Sequence, residues 1–215
     1  MSKIESHVRT RVVAYSITND VEKQVRAVLS YILLSHNCAI LLAPIYTSVK
    51  ELIINAIKAN YKNIYFEGYA SRNRLHETLT YETSLRLFQL EMSSENAQHL
   101  ERIAKKEDIK AEIELFENGN ILHVIVTNPG RMTQTELKNI NHKLIDAENC
   151  RDIAEYFLRN MDDPTREGAG LGLILIKMML KSLHAPADSL TITCEENRTT
   201  AYLKVPLVTD VEICA

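Results

Sequence analysis

The sequence predicts an α+β fold, and three observations carry that expectation. Apolar residues recur at helical spacing in several segments. An Asn-Gly pair separates two apolar runs, the pattern of a tight β-hairpin, and two further short runs about a polar turn form a closing hairpin. With 215 residues there is room for one well-buried core, so a single domain over 1–215 is expected. Hydrophobic residues at 46% and charged residues at 25% are values of a globular chain.

Arg11 to Ile17 is short and β-branched, which predicts a first strand. Thr18-Asn19-Asp20 supplies N-cap chemistry for a helix through Val21, Val25, Val28, Leu29 and Ile32, ending near His36-Asn37. A second helix begins around Pro44. Within it Val49, Leu52, Ile53, Ala56 and Ile57 form an apolar stripe. Ile64-Tyr65-Phe66 could form a short strand, whereas Arg72 to Gln89 and Ser94 to Lys106 are expected to be helical. Residues 61–108 hold no proline and one glycine, Gly68, so no linker divides them, and they are taken as an inserted helical element. Ile109 to Phe116 and Ile121 to Thr127 form the hairpin about Glu117-Asn118-Gly119-Asn120. After Asn128-Pro129-Gly130 the backbone leaves the sheet. Residues 133–167 are polar and punctuated, with helices from Thr135 to Lys143 and near Asp152 to Leu158. An apolar helix spans Leu173 to Leu183, and Leu190 to Cys194 with Ala201 to Leu207 make the closing hairpin.

Net charge and cysteine usage narrow the functional classes. A charge of −3 and a pI near 6.2 give no polyanion-binding footprint, so nucleic acid is not an expected partner. Cys38, Cys150, Cys194 and Cys214 lack any C-x-x-C or Cys/His ligand spacing, which fits reduced structural thiols of a cytoplasmic protein. The N-terminus lacks the apolar core of a signal peptide. The longest apolar run, around Ala39 to Ile45, is too short to span a bilayer.

Opposite the apolar stripe of the second helix, Glu51, Asn55, Lys58 and Lys62 fall at steps of four, three and four and form a polar stripe. An amide oxygen suits a hard cation, lysine suits phosphate, and a carboxylate can orient or deprotonate a nucleophile. A solvated face with ordinary i,i+4 pairs reads the same way, and Ser48-x-x-Glu51 could be a capping box. Of the six glycines, Gly130, Gly168, Gly170 and Gly172 sit at two exits from regular structure, where close backbone approach to a ligand is at stake. Gly168-x-Gly-x-Gly opening a helix presents unpaired N–H groups to an anion. It is neither a P-loop, since no Gly-Lys-Ser/Thr follows, nor a dinucleotide fingerprint after a first strand.

Taken in order, Glu51-x-x-x-Asn55-Ala, then Val126-x-Asn128-x-Gly130, then Gly168-x-Gly170-Leu171-Gly172-Leu resemble the N, G1 and G2 boxes of the GHKL (histidine kinase-like) ATPase superfamily, nearest to anti-sigma-factor serine kinases and histidine kinase catalytic domains. The resemblance covers almost the whole chain except roughly 61–108. It implies a two-layer α/β sandwich, the Bergerat fold, with a mixed, mostly antiparallel sheet and helices on one face. It also implies an ATP and Mg²⁺ site. Asn55 would ligate the metal, Glu51 would position or activate the attacking group, and Lys58 would lie near the phosphates. Asn128 stands where the family has an Asp that accepts from the adenine amine, without that residue's charge assistance. Gly130 would let the base approach, and Gly168, Gly170, Leu171 and Gly172 would wrap the phosphates. Residues 133–167 would be the mobile ATP lid. Met132 departs from the family's second G1 glycine.

The implied function is a signalling kinase that transfers the γ-phosphate to a Ser or His of a partner protein. Its alternatives are an ATP-gated switch without catalysis and a degenerate interaction module. Glu51 favours a hydroxyl or water acceptor, because those nucleophiles need a base more than an imidazole does. His76-Glu77-Thr78-Leu79-Thr80 loosely resembles a phosphoacceptor motif but follows the N box. The inserted helices, with Leu75, Leu79, Leu85, Leu87 and Phe88, are the expected partner or homodimer surface.

Overall fold

The computed structural model describes residues 9–72, 81–92, 97–130, 132–159 and 171–207. Among these, five strands and seven α-helices make an α+β fold. The strands are β1 (Thr10–Ala14), β2 (Ala111–Asn118), β3 (Ile121–Pro129), β4 (Leu190–Glu195) and β5 (Arg198–Pro206). They form one sheet in the order β1-β2-β3-β5-β4, and every pairing is antiparallel rather than mixed.

Both hairpin turns follow from local chemistry. Asn118 pairs with Ile121, which places Gly119 and Asn120 at the centre of the first turn, with φ of 58° and 60°. Glu196 and Asn197 do the same in the second, at 46° and 62°. Two consecutive left-handed residues give the turn whose twist matches that of its strands.

α1 (Asn19–Ser35) starts at Thr18, whose hydroxyl accepts from the Val21 N–H at 3.2 Å, and stops at His36 before left-handed Asn37. α2 (Leu42–Arg72) is the longest element, and it includes Ile64-Tyr65-Phe66, which therefore do not form a strand. The stripe Ile57, Tyr61, Ile64, Tyr65 continues the i, i+4, i+7, i+8 rhythm, and all four are buried, so the helix has no reason to end at 60. Residues 61–72 thus belong to the core helix. α3 (Tyr81–Met92) and α4 (Ala97–Lys106) follow. Phe88 is buried against Tyr65, with ring centroids 5.5 Å apart, while Leu87 and Leu90 remain exposed. Leu75, Leu79 and His76 to Thr80 lie outside the described residues.

The sheet alternates strictly. Ala111, Ile113 and Leu115 of β2, Leu122, Val124 and Val126 of β3, and Leu203 and Val205 of β5 are buried and share one core with Leu29, Leu33, Ile45, Leu52 and Ile53 of the helices. The other face is half-exposed and polar, carrying Arg11–Glu112 and Arg9–Glu114 ion pairs at 2.5 and 2.7 Å. Among the described residues helices therefore cover one face only, the two-layer arrangement of a sheet solvated on the other side. Residues Ala39–Gly68 are, by length and composition, long and apolar enough to cross a membrane, a test that the short run Ala39 to Ile45 fails. Here they bury their apolar stripe beneath the sheet.

α5 (Gln134–Glu148) and α6 (Ile153–Arg159) occupy the polar stretch before α7 (Leu171–Ser182). Thr133 and Glu136 close a reciprocal capping box at the start of α5. Ala147, Cys150, Tyr156 and Ile174 form a small second core between these helices. Lys181 donates to the carbonyls of Glu148 and Cys150, both at 2.8 Å, satisfying orphan acceptors just past the α5 terminus. Buried Lys177 pairs with Glu148 at 2.7 Å.

Candidate functional site

α2 carries the candidate residues on one flank, and the elements brought against that flank decide what they can do. Near its N-terminal end Glu51 is half-buried against the first turn of α7. A Cβ on Gly172 would overlap the Glu51 Cγ, Cδ and Oε1 atoms, so only glycine lets the two helices meet with Glu51 in this position. Leu171 is 41% exposed at the head of the same helix. Gly168 and Gly170 lie outside the described residues. Asn55, one turn beyond Glu51, is half-buried on the same flank, and Lys58 is exposed. A cleft of about 350 Å³ that Glu51 and Gly172 help to line opens between the N-terminal turns of α2 and α7.

The far end of the flank meets the exit of β3. Asn128 occupies the buried face of that strand, at 4% exposure, in register with the apolar positions before it. Its Nδ2 donates to Asn60 Oδ1 at 3.2 Å and to its neighbour Pro129's carbonyl at 2.9 Å. Because a carbonyl can only accept, the Pro129 bond fixes which end of the amide is the donor. Gly130 has φ of 110°, and a Cβ there would overlap Asn63 Nδ2. Its N–H donates to the Asn197 carbonyl at 2.8 Å and its carbonyl accepts from Thr199 Oγ1 at 3.1 Å, which tie the exit of β3 to the β4–β5 turn.

At this far end Lys62 also forms an ion pair with Glu136 at the head of α5, both side chains about a quarter exposed. Burial raises the Glu136 pKa, but the Lys62 ammonium and the Thr133 N–H and hydroxyl outweigh it and hold the carboxyl below its ordinary range. Of the two stripe lysines it is Lys62, not Lys58, that reaches the segment expected to be the lid.

The structure thus brings Glu51 together with Gly172, and sets Asn128 and Gly130 against Asn60 and Asn63. Among the described residues no hydrogen bond or ion pair joins Lys58 to these groups. Asn60 and Asn63 were not singled out from the sequence. Asn60 carried a signal: it interrupts the apolar stripe between Ile57 and Ile64 and is 1% exposed, and a buried amide needs a partner. The Thr133-x-x-Glu136 box was likewise legible in the sequence. No three His, Cys, Asp or Glu side chains converge into a metal-binding group among the described residues. Cys38 and Cys150 are buried free thiols, and Cys194 is half-buried; Cys214 lies outside the described residues.

Comparison with known proteins adds one relative. No protein-family model matches the chain, and no solved structure matches it. An uncharacterized protein of Treponema pallidum (strain Nichols) is 30% identical over 158 residues, which cover 74% of this chain and 30% of that protein. The chain therefore matches less than a third of that relative's length.

Proposed function

We propose that this chain is a cytoplasmic ATP-binding signalling module of the histidine kinase-like type, which passes the γ-phosphate of ATP to a Ser or His of a partner protein. The observation that carries the reading is the meeting of Glu51 with Gly172, one helical turn from Asn55. That is where a carboxylate, a metal-seeking amide and the first N–H groups of a helix have to converge if they serve one triphosphate. The donor set fits Mg²⁺ that arrives bound to phosphate: Asn55 offers an amide oxygen, and no carboxylate cage is required. The spaces at Gly130 and Gly172 hold the ends of Asn63 and Glu51, flexible side chains that can rotate aside for a ligand.

In this reading Glu51 takes the proton of the attacking hydroxyl or orients it. Asn128 accepts from the adenine amine through its Oδ1, since its Nδ2 is committed to Asn60 and Pro129. The bound nucleotide supplies the activated phosphoryl group. One observation favours a second reading, the ATP-free interaction module. Asn128 and Asn63 sit in contacts within the protein, and Asn128 lacks the charge that would strengthen a bond to an amine.

Calorimetric titration with ATP and Mg²⁺, together with release of labelled phosphate, separates the readings. Saturable binding with turnover supports the kinase, and Glu51→Ala should abolish turnover while sparing binding. Asn55→Ala should weaken binding only when Mg²⁺ is present. Asn128→Asp titrated with ATP and GTP tests the base contact; unchanged affinity for both removes Asn128 from the site. Absence of ATP binding at millimolar concentration overturns the nucleotide reading and leaves the interaction module.

A further inference from the structure

The cleft between the first turns of α2 and α7 is built from two kinds of surface. Ala43, Pro44, Leu175, Ile176 and Met179 make its walls, and Glu51 stands at the end where the helices meet at Gly172. The two hydroxyls beside it do not change that character. Thr47 Oγ1 donates to the Ala43 carbonyl and Ser48 Oγ to the Pro44 carbonyl, both at 2.9 Å, so each is satisfied by its own helix. Glu51 is the charged group of the cleft, and among the described residues its carboxylate has neither an ion pair nor a hydrogen bond. Lys50, next to it in sequence, is engaged by Glu22 at 2.5 Å. Lys58 is exposed two turns further along.

A half-buried carboxylate against an apolar wall has lost part of its hydration and gained nothing in return, so a cation brought to it recovers more energy than it would in water. A volume of about 350 Å³ is at the small end of the range for ligand sites. From this geometry we propose that the cleft is a binding site for a primary ammonium group on a short aliphatic stem. The stem lies on Leu175, Ile176 and Met179, and the ammonium meets Glu51. A free alkylamine and the side chain of a lysine in a partner protein present the same chemistry. The site shares Glu51 with the proposed catalytic role but stands on the packing of α2 against α7, so its test needs no nucleotide.

The test uses the full chain with ¹³C-labelled methyl groups, titrated separately with hexylammonium, hexanol and hexanoate while the Ile, Leu and Met resonances are followed by NMR. Hexylammonium should shift the Met179, Ile176 and Leu175 methyls saturably and bind about tenfold or more tightly than hexanol, the factor expected for one charge-assisted hydrogen bond. Hexanoate should not bind. Glu51→Gln, close to isosteric, should bring hexylammonium down to the level of hexanol. Leu175→Ser, at a position 48% exposed, should weaken both ligands together. Nα-acetyl-lysine N-methylamide separates the sources: binding as tight as hexylammonium assigns a lysine side chain, and much weaker binding assigns a free amine. Equal affinity for hexylammonium and hexanol, an unchanged preference in Glu51→Gln, or shifts centred outside these methyls would overturn the assignment.

Discussion

Gly130 and Gly172 lie against the same helix, facing Asn63 and Glu51, positions about 18 Å apart along its axis at the usual helical rise. At each, a side chain of α2 fills the space a Cβ would take. The surroundings differ. At Gly130 the backbone is left-handed and both of its polar groups are bonded, and Asn128 beside it spends its donor on α2. At Gly172 the backbone is ordinary helix, and the intruding carboxylate has no partner among the described residues. The Gly130 end is a structural joint between β3, the β4–β5 turn and α2. The Gly172 end is a contact held by one movable side chain, and it adjoins the cleft.

The largest expected effect lies at the joint. Gly130→Ala combines a strained φ with overlap on Asn63 and should destabilise by about 3 kcal/mol in denaturant unfolding. Adding Asn63→Ala should recover only the overlap, because the backbone strain persists. Asn128→Asp is next. It replaces a donor facing Asn60 Oδ1 and the Pro129 carbonyl by an acceptor, at an expected cost of about 2 kcal/mol near neutral pH. Burial beside two acceptors raises the folded pKa of the new carboxyl above its unfolded value. The loss is therefore full above that folded pKa and shrinks as pH falls through it and the carboxyl regains a proton to donate.

Gly172→Ala should cost only about 1 kcal/mol, since the overlapping atoms belong to a movable side chain. Here the double variant with Glu51→Ala should return to at least the stability of Glu51→Ala alone, alanine being the better helix former. Rescue at Gly130 to the same degree, or none at Gly172, would erase the distinction between the two ends. Glu136→Gln, whose partner Lys62 adjoins Asn63, should cost about 1 kcal/mol through the capping box and the Lys62 pair. Its wild-type carboxyl is held below the ordinary range, so its contribution is present above the unfolded pKa and fades as pH falls through the folded one. The smallest effect is at Glu155, whose pKa is lowered to about 2, first by the backbone N–H and then by the guanidinium of Arg151, with Arg159 also contributing. Stability it lends should decline between the ordinary carboxylate range and about pH 2, and salt should mute the change.

Elements and turns were legible in the sequence because their causes are local. The stripe Val49 to Ile57, the Thr18 cap and the first hairpin each act within a few positions and are present in the structure, although the turn centres on Gly119-Asn120 and not on Asn118-Gly119. The length of α2 is not legible locally, because Ile64-Tyr65-Phe66 suits a strand when taken alone and a helix only when joined to Ile57 and Tyr61.

What the sequence by itself determined is the α+β class and the face each element buries, since apolar periodicity and turn chemistry leave little choice. Only the tertiary structure decided that Asn60 answers Asn128 across 68 positions, that Lys62 rather than Lys58 reaches Glu136, and that Glu51 is lodged on Gly172. Polar stripes on a helix are equivalent until another element is packed against one of them. That choice belongs to the sheet register and the placement of α7, which no local pattern encodes.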